Sequence, residues 1–169
     1  GGVMVNDNYP SVMIANARHF PPNRPPWEIF VNRDGERFLR EDIPSHDAYE
    51  HALLEQPEER CWVVFDDAIL KQAPQLLYGG FTGSFDTLAA FNSQKPFFFR
   101  SDSLPSLAVA AGIDPGGLEK TVASYNAGQQ SGKDALGREH MPLPIGAPPY
   151  YAIQLQSWLL TTYAGLAVD

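Results

Sequence analysis

No stretch of this 169-residue chain keeps one hydrophobic period long enough to build a repeating βαβ unit. Fifteen prolines and fourteen glycines interrupt it. Each proline fixes φ and removes a backbone donor, so the elements between them must be short. Pro21, Pro22, Pro25 and Pro26 exclude a regular helix from the segment before Trp27. Residues 1–27 therefore read as an irregular lead-in, with one short strand at 12–15. Short strands mixed irregularly with short helices predict a small α+β domain without a Rossmann sheet.

The clearest local signal is Asn32-Arg33-Asp34-Gly35. Asp34-Gly35 supplies the left-handed positions of a tight turn, so short strands at 29–32 and 36–39 are expected to close a hairpin around it. Ser45 or Asp47 can cap a helix running to about residue 55, ended by Pro57. Residues 61–65 form a continuous apolar strand, and Asp66 and Asp67 suit the cap of a short helix through 72. Beyond a glycine-containing break at 79–83, a short helix is expected around 86–91 and a strand at 96–100. Ser103 can cap a helix to Ala111, stopped by Gly112. Asp114 caps the strongest helix, with Pro115 at its first position and Leu118, Val122 and Tyr125 forming one apolar stripe. Gly128 is expected to begin its end. Residues 129–149 read as a long ordered loop, and 150–155 and 159–168 as strands.

Several functions are excluded. The net charge of -8 comes without any Lys/Arg cluster, so nucleic acid is not a partner. Cys61 is the single cysteine; it permits no internal disulfide, and its apolar surroundings make it a core thiol. No apolar run reaches the length of a membrane span. No basic region followed by an apolar stretch marks a signal peptide. The start Gly1-Gly-Val-Met-Val5 reads as a longer protein entered partway through, so the expected location is cytoplasmic, or periplasmic where a leader lies upstream. His46 and His51 are five residues apart, which is not the helical metal-ligand spacing, and no metal site is expected. Gly79-Gly-Phe-Thr-Gly83 lacks the spacing of a dinucleotide loop, so no cofactor-binding residue is assigned to this chain.

Three stretches carry a family resemblance: Ile29-Phe-Val-Asn-Arg-Asp-Gly-Glu-Arg-Phe38, the helix opening Gly112-Ile-Asp-Pro115, and Pro148-Pro-Tyr-Tyr-Ala152. Together they resemble the substrate-capping part of the fumarate reductase/succinate dehydrogenase flavoprotein family, which includes ketosteroid dehydrogenases. The resemblance covers most of the chain. It implies a capping domain over 1–158 and a strand over 159–169 leading back toward an FAD-binding domain outside this sequence. FAD would then be held by the parent protein and not by this fragment. The implied partners are that FAD-binding domain and a small unsaturated or carbonyl-containing substrate.

The same resemblance assigns candidate residues. The family pattern Val-Asn, Gly-x-Arg-Phe, one residue, Asn, Glu is matched by Val31-Asn32, Gly35-Glu-Arg-Phe38, Leu39, Arg40 and Glu41, with Arg40 replacing the asparagine. It places Arg37 at the mouth of the substrate site; a hairpin salt bridge to Glu36 or Glu41 is the other reading. With one residue inserted, the family's Thr-Arg-Asp falls on Ser45-His46-Asp47, which puts His46 at the proton-donor position. Histidine titrates near neutrality and can serve as acid or base. A plain polar residue at a helix start is its alternative. Tyr49 and Arg40 are further catalytic candidates. Where relatives carry two histidines this chain has Leu160 and Thr161, so Thr161, Thr162 and Tyr163 are expected to contact a substrate with at most one carboxylate. Two function readings stay open: the cap of an FAD-dependent oxidoreductase acting on a C–C bond beside a carbonyl or carboxylate, or a noncatalytic α+β binding domain that keeps the cap fold.

Overall fold

A computed structural model describes residues 25–43, 46–73 and 98–156. Its frame is a four-stranded antiparallel sheet built from β1 (Ile29–Val31), β2 (Arg60–Asp66), β3 (Phe98–Ser101) and β4 (Tyr150–Gln156), in the order β1-β2-β4-β3. Helices α1 (His46–Leu54), α2 (Asp67–Gln72), α3 (Leu104–Ala111) and α4 (Pro115–Ser131), with a 3-10 turn at Pro57–Glu59, complete the described elements. The α+β class follows, with no parallel Rossmann arrangement among the described residues.

β2 is the spine. Cys61, Trp62, Val63, Val64 and Phe65 are all buried, so both faces of the strand are covered and its residues read as one apolar run rather than an alternation. Val63 faces Ile153 across the β2–β4 ladder, and Phe65 faces Tyr151 with the two rings stacked at 5.3 Å. Ile29, Phe30 and Val31 pair on its other edge with Val64, Val63 and Trp62.

The helix ends follow local chemistry. Asp66 caps α2 by accepting the Ile69 N–H, Ser103 caps α3 through Ser106, and Asp114 caps α4 through Gly117. Leu118, Val122 and Tyr125 are buried along one stripe of α4. Gly128 does not begin the end of this helix; α4 runs to Ser131, and the Gly132 N–H closes it on the Gly128 carbonyl. The loop after it is ordered by side chains. Asn126 exchanges two hydrogen bonds with the backbone of Ile145, each 2.8 Å, and the Tyr125 hydroxyl donates to the Leu143 carbonyl. The second oxygen of Asp66 accepts from Gly146 and Ala147 at 2.7 and 2.8 Å.

A second expectation is corrected. The tight turn at 32–35 is present: Gly35 has φ +74 and donates to the Asn32 carbonyl, while Asn32 Oδ1 accepts from Asp34 and Glu36. The second arm of the hairpin is not a strand, and only an isolated bridge joins Val31 to Arg37. The Phe30 N–H, which a second arm would have received, donates instead to the carboxylate of Glu41. Strand β1 therefore takes its ladder from β2. The residues expected as elements at 12–15, 86–91 and 159–168 lie outside the described residues, as does the glycine stretch 79–83.

Candidate functional site

The segment from Glu28 to Ile43 runs from β1 around the turn and on toward α1, and it carries two of the candidate residues, Arg37 and Arg40. Its turn docks on the start of α4. The Asp114 N–H donates to the Arg33 carbonyl at 2.8 Å. Gly117 approaches Asp34 so closely that an added β-carbon would lie 1.8 Å from the Asp34 carbonyl oxygen. Glycine is required there for backbone to meet backbone.

Behind the turn lies a buried ionic network. The Arg37 guanidinium donates through Nε and Nη2 to the two oxygens of Glu41 at 2.7 and 2.6 Å, and through Nη1 and Nη2 to Asp134. Glu41 is fully buried and also faces Arg138 at 3.1 Å. Arg138 donates to the carbonyls of Glu28 and His140, each at 2.7 Å, and to that of Pro26. Both cations lie over the Tyr125 ring, 5.6 Å away for Arg37 and 5.3 Å for Arg138. Two positive and two negative side chains thus balance inside the fold, each with hydrogen bonds. Such an arrangement tolerates burial that an unpaired charge would not.

The titration shifts follow from it. Burial works to lower the Arg37 pKa, and its bonds to Glu41 and Asp134 overcome that and hold it above the ordinary arginine value. For Asp134 burial acts upward, but Arg37 and the N–H groups of Arg138 and Leu136 hold the carboxyl below the usual range. Burial pushes the Tyr125 phenol up, against the Arg138 cation.

Asp42 makes a second, more peripheral set of contacts. Its Oδ2 accepts from the N–H groups of Glu139 and Glu139's neighbour His140 at 2.8 and 3.1 Å, and its Oδ1 from Arg40 Nε at 2.9 Å. Burial works to raise its carboxyl, yet those two N–H groups and Arg40 hold it below the usual value. Arg40 is one-third exposed and reaches Glu139 at 3.8 Å.

The candidates are thus distributed as follows. Arg37 is committed to Glu41 and Asp134, and Arg40 to Asp42 at the network's rim. His46 opens α1 and Tyr49 follows in its first turn. Thr161, Thr162 and Tyr163 lie outside the described residues. Sequence reading missed Arg138, which sits in the polar loop Gly137-Arg-Glu139 with no periodicity to mark it as buried. Asp134 accepts from the N–H groups of Leu136 and Arg138, and its pairing with Arg37, 97 residues away, had no local signal.

The Gly116-Gly117 opening of α4 is not a seat for a flavin pyrophosphate. A helix start with free N–H groups is the natural seat for phosphate. At the Gly116-Gly117 opening of α4, however, the Asp114 carboxylate already accepts the Gly117 N–H at 2.6 Å, and the Asp34 carbonyl fills the approach. Negative charge and packed backbone stand where a phosphate would need open donors. Among the described residues no helix is long and apolar enough to cross a membrane.

Comparison with known proteins gives a consistent picture. A family model described as FAD binding domain matches residues 26–169. The chain is 32% identical over 142 residues to a probable fumarate reductase of Shewanella frigidimarina, covering 83% of this chain and 22% of that protein. It is 32% identical over 165 residues to a 4-oxocyclohex-2-ene-1-carboxylate 5-dehydrogenase of Sinomonas cyclohexanicum, covering 85% and 27%. The chain therefore spans about a quarter of the length of these relatives. Among solved structures, the open conformation of a flavocytochrome c3 fumarate reductase superposes with a TM-score of 0.62 at 32% identity, covering 76% of this chain and 21% of that one.

Proposed function

This chain belongs to the FAD-binding-domain family of oxidoreductases, and from that membership we propose that it is the substrate-capping part of a larger FAD-dependent enzyme. The proposed reaction adds or removes two hydrogens across a C–C bond beside a carbonyl or carboxylate. The observation that carries this reading is the match over 26–169, beside 32% identity both to a probable fumarate reductase and to a dehydrogenase whose name specifies a cyclic enone bearing one carboxylate. In this reading residues 1–158 form the cap and 159–169 lead back to the FAD-binding domain of the parent. Bound there, FAD supplies the hydride chemistry.

The cap's own residues exclude water, orient the substrate and move the proton. His46, at the first position of α1, moves the proton on the carbon adjacent to the hydride-exchanging one, with Tyr49 and Arg40 as the nearest alternatives in sequence. Thr161, Thr162 and Tyr163 offer hydroxyls to one carbonyl or carboxylate oxygen. Arg37 supports the mouth of the site from behind, through Glu41. Replacement of two family histidines by Leu160 and Thr161 leaves too few donors for a second carboxylate, since a buried unpaired charge is costly. The substrate class is therefore an enone or enoate with at most one carboxylate, or its saturated counterpart.

The test is turnover by the full-length parent protein with fumarate, a monocarboxylic enoate and a 3-ketosteroid, in both redox directions. The enoate or the ketosteroid is expected to be fastest. In the same protein His46→Gln is expected to lower kcat by ~100-fold or more with little change in KM. Fastest reduction of fumarate overturns the substrate class, and a His46→Gln effect below about threefold overturns the assignment of the proton to His46.

A further inference from the structure

Glu41 and Asp42 are consecutive, and they lie five and four residues ahead of His46. Both turn to the same short stretch of the distant loop. Glu41 meets the Arg138 guanidinium, while Asp42 takes the N–H groups of Glu139 and His140. Arg138 in turn holds the carbonyls of Pro26, Glu28 and His140, so one side chain ties the approach to β1 to the approach to α1. Ile43, next along, donates to the Arg40 carbonyl and packs against the core. The chain thus reaches α1 with two successive residues restrained from a loop nearly one hundred positions later. Those restraints fall on the residues that precede α1 in the chain, and His46 is the first residue of that helix.

We propose that Asp42 and Arg138 are positioning residues that set where α1 begins, and through it the placement of the proton-moving group. This rests on the reading of the chain as an oxidoreductase cap. Neither residue touches substrate in the proposal; each acts by holding 41–42 against 138–140. A catalytic group displaced by about an ångström loses on the order of 100-fold in rate, so a loosened lead-in is visible in kcat even where the fold survives.

Two measurements test it, and the first needs no activity. In the 169-residue chain, Asp42→Asn keeps the size of the side chain but sets an amide against donors it formerly accepted from. Amide hydrogen exchange in residues 50–52, which close the first turn of α1, is expected to accelerate by ~10-fold or more, with β2, β4 and α4 unchanged. Unchanged exchange in α1, or equal acceleration everywhere, overturns the proposal. The second uses the full-length FAD-loaded protein. Asp42→Asn and the charge-keeping Arg138→Lys are each expected to lower kcat by ~10-fold with KM within about twofold. In a His46→Gln background, Asp42→Asn is expected to cost less than about twofold further, because its effect travels through the residue already removed. Full additivity overturns the proposal. If His46→Gln itself leaves turnover intact, the assignment of the proton has failed, and hydrogen exchange alone decides whether Asp42 and Arg138 set the start of α1.

Discussion

The neighbouring glycines at the start of α4 should respond in opposite directions to the same substitution. In Gly117→Ala the new β-carbon would lie 1.8 Å from the Asp34 carbonyl oxygen and 3.0 Å from its carbon, both backbone atoms. Ordinary contact begins at 3.4 Å, so the turn must retreat by more than ~1 Å. That retreat strains the 2.8 Å bond from Asp114 to the Arg33 carbonyl and unseats Arg37 from its two carboxylates. Overpacking costs about 1–3 kcal/mol and a lost hydrogen bond about 1 kcal/mol, against a gain of about 1 kcal/mol in helix propensity. The expected net loss is about 2 kcal/mol. In Gly116→Ala the nearest atom is Asp114 Oδ2 at 3.5 Å, ordinary contact, so the propensity gain stands and the variant should be equal to or up to about 1 kcal/mol more stable than the parent. Urea unfolding of the two variants and the unmodified chain, read by near- and far-ultraviolet circular dichroism, measures both. Equal stability of the two variants would refute the argument that the turn docks backbone to backbone on Gly117.

Glu41→Ala should cost about 3–5 kcal/mol by chemical denaturation, because it removes the carboxylate that the buried Arg138 faces and leaves Arg37 with Asp134; a loss below about 1 kcal/mol would mean that water reaches the network. Asp66→Ala should lower stability by about 3 kcal/mol in thermal unfolding, since one carboxylate both caps α2 and holds Gly146 and Ala147. Acid should weaken the fold through Asp42 and Asp134. Both carboxyls are depressed in the folded chain, so their contribution is complete above the unfolded carboxylate value near ~3.9 and disappears as pH falls through the lower folded values. Stability measured from pH 6 to 2.5 should therefore fall below about pH 4, with a shallower fall in Asp134→Asn; an identical acid slope in that variant would exclude Asp134 as a source.

What was legible in the sequence is what local chemistry dictates. Ser103, Asp114-Pro115 and Asp66 announce helix starts because a cap is satisfied within three residues, and each caps its helix as read. The run from Cys61 to Phe65 announces a buried strand because five successive apolar side chains, β-branched at Val63 and Val64 and bounded by Arg60 and Asp66, suit a strand covered on both faces. The turn at Asp34-Gly35 was also legible, but its second arm was not. Whether residues 36–39 extend β1 depends on who receives the Phe30 N–H, and the answer is a carboxylate eleven residues on. Arg138 was invisible for the same reason. Its partners at Pro26, Glu28 and Glu41 are distant in sequence, and an arginine between glycine and glutamate carries no mark of burial. Of the candidate site, the lead-in to α1 could be located from the chain alone. The restraint that holds it could not.

The position of β4 has a consequence for how the domain assembles. It is the latest of the four described strands in sequence, yet it lies inside the sheet, with β2 on one side and β3 on the other. Cys61 must therefore wait for Leu155, and Phe98 for Ile153, before either finds its neighbour. Loop closure over that span has to precede the contacts that reward it, so sheet formation should be a late, cooperative event rather than a local zipper. During synthesis, β2 emerges with the edge that will pair with β4 open long before Tyr150 leaves the ribosome. An open edge of that kind is a template for pairing with other chains. Truncations ending before Tyr150 should accumulate as aggregates, whereas the chain carried through Gln156 closes its own sheet.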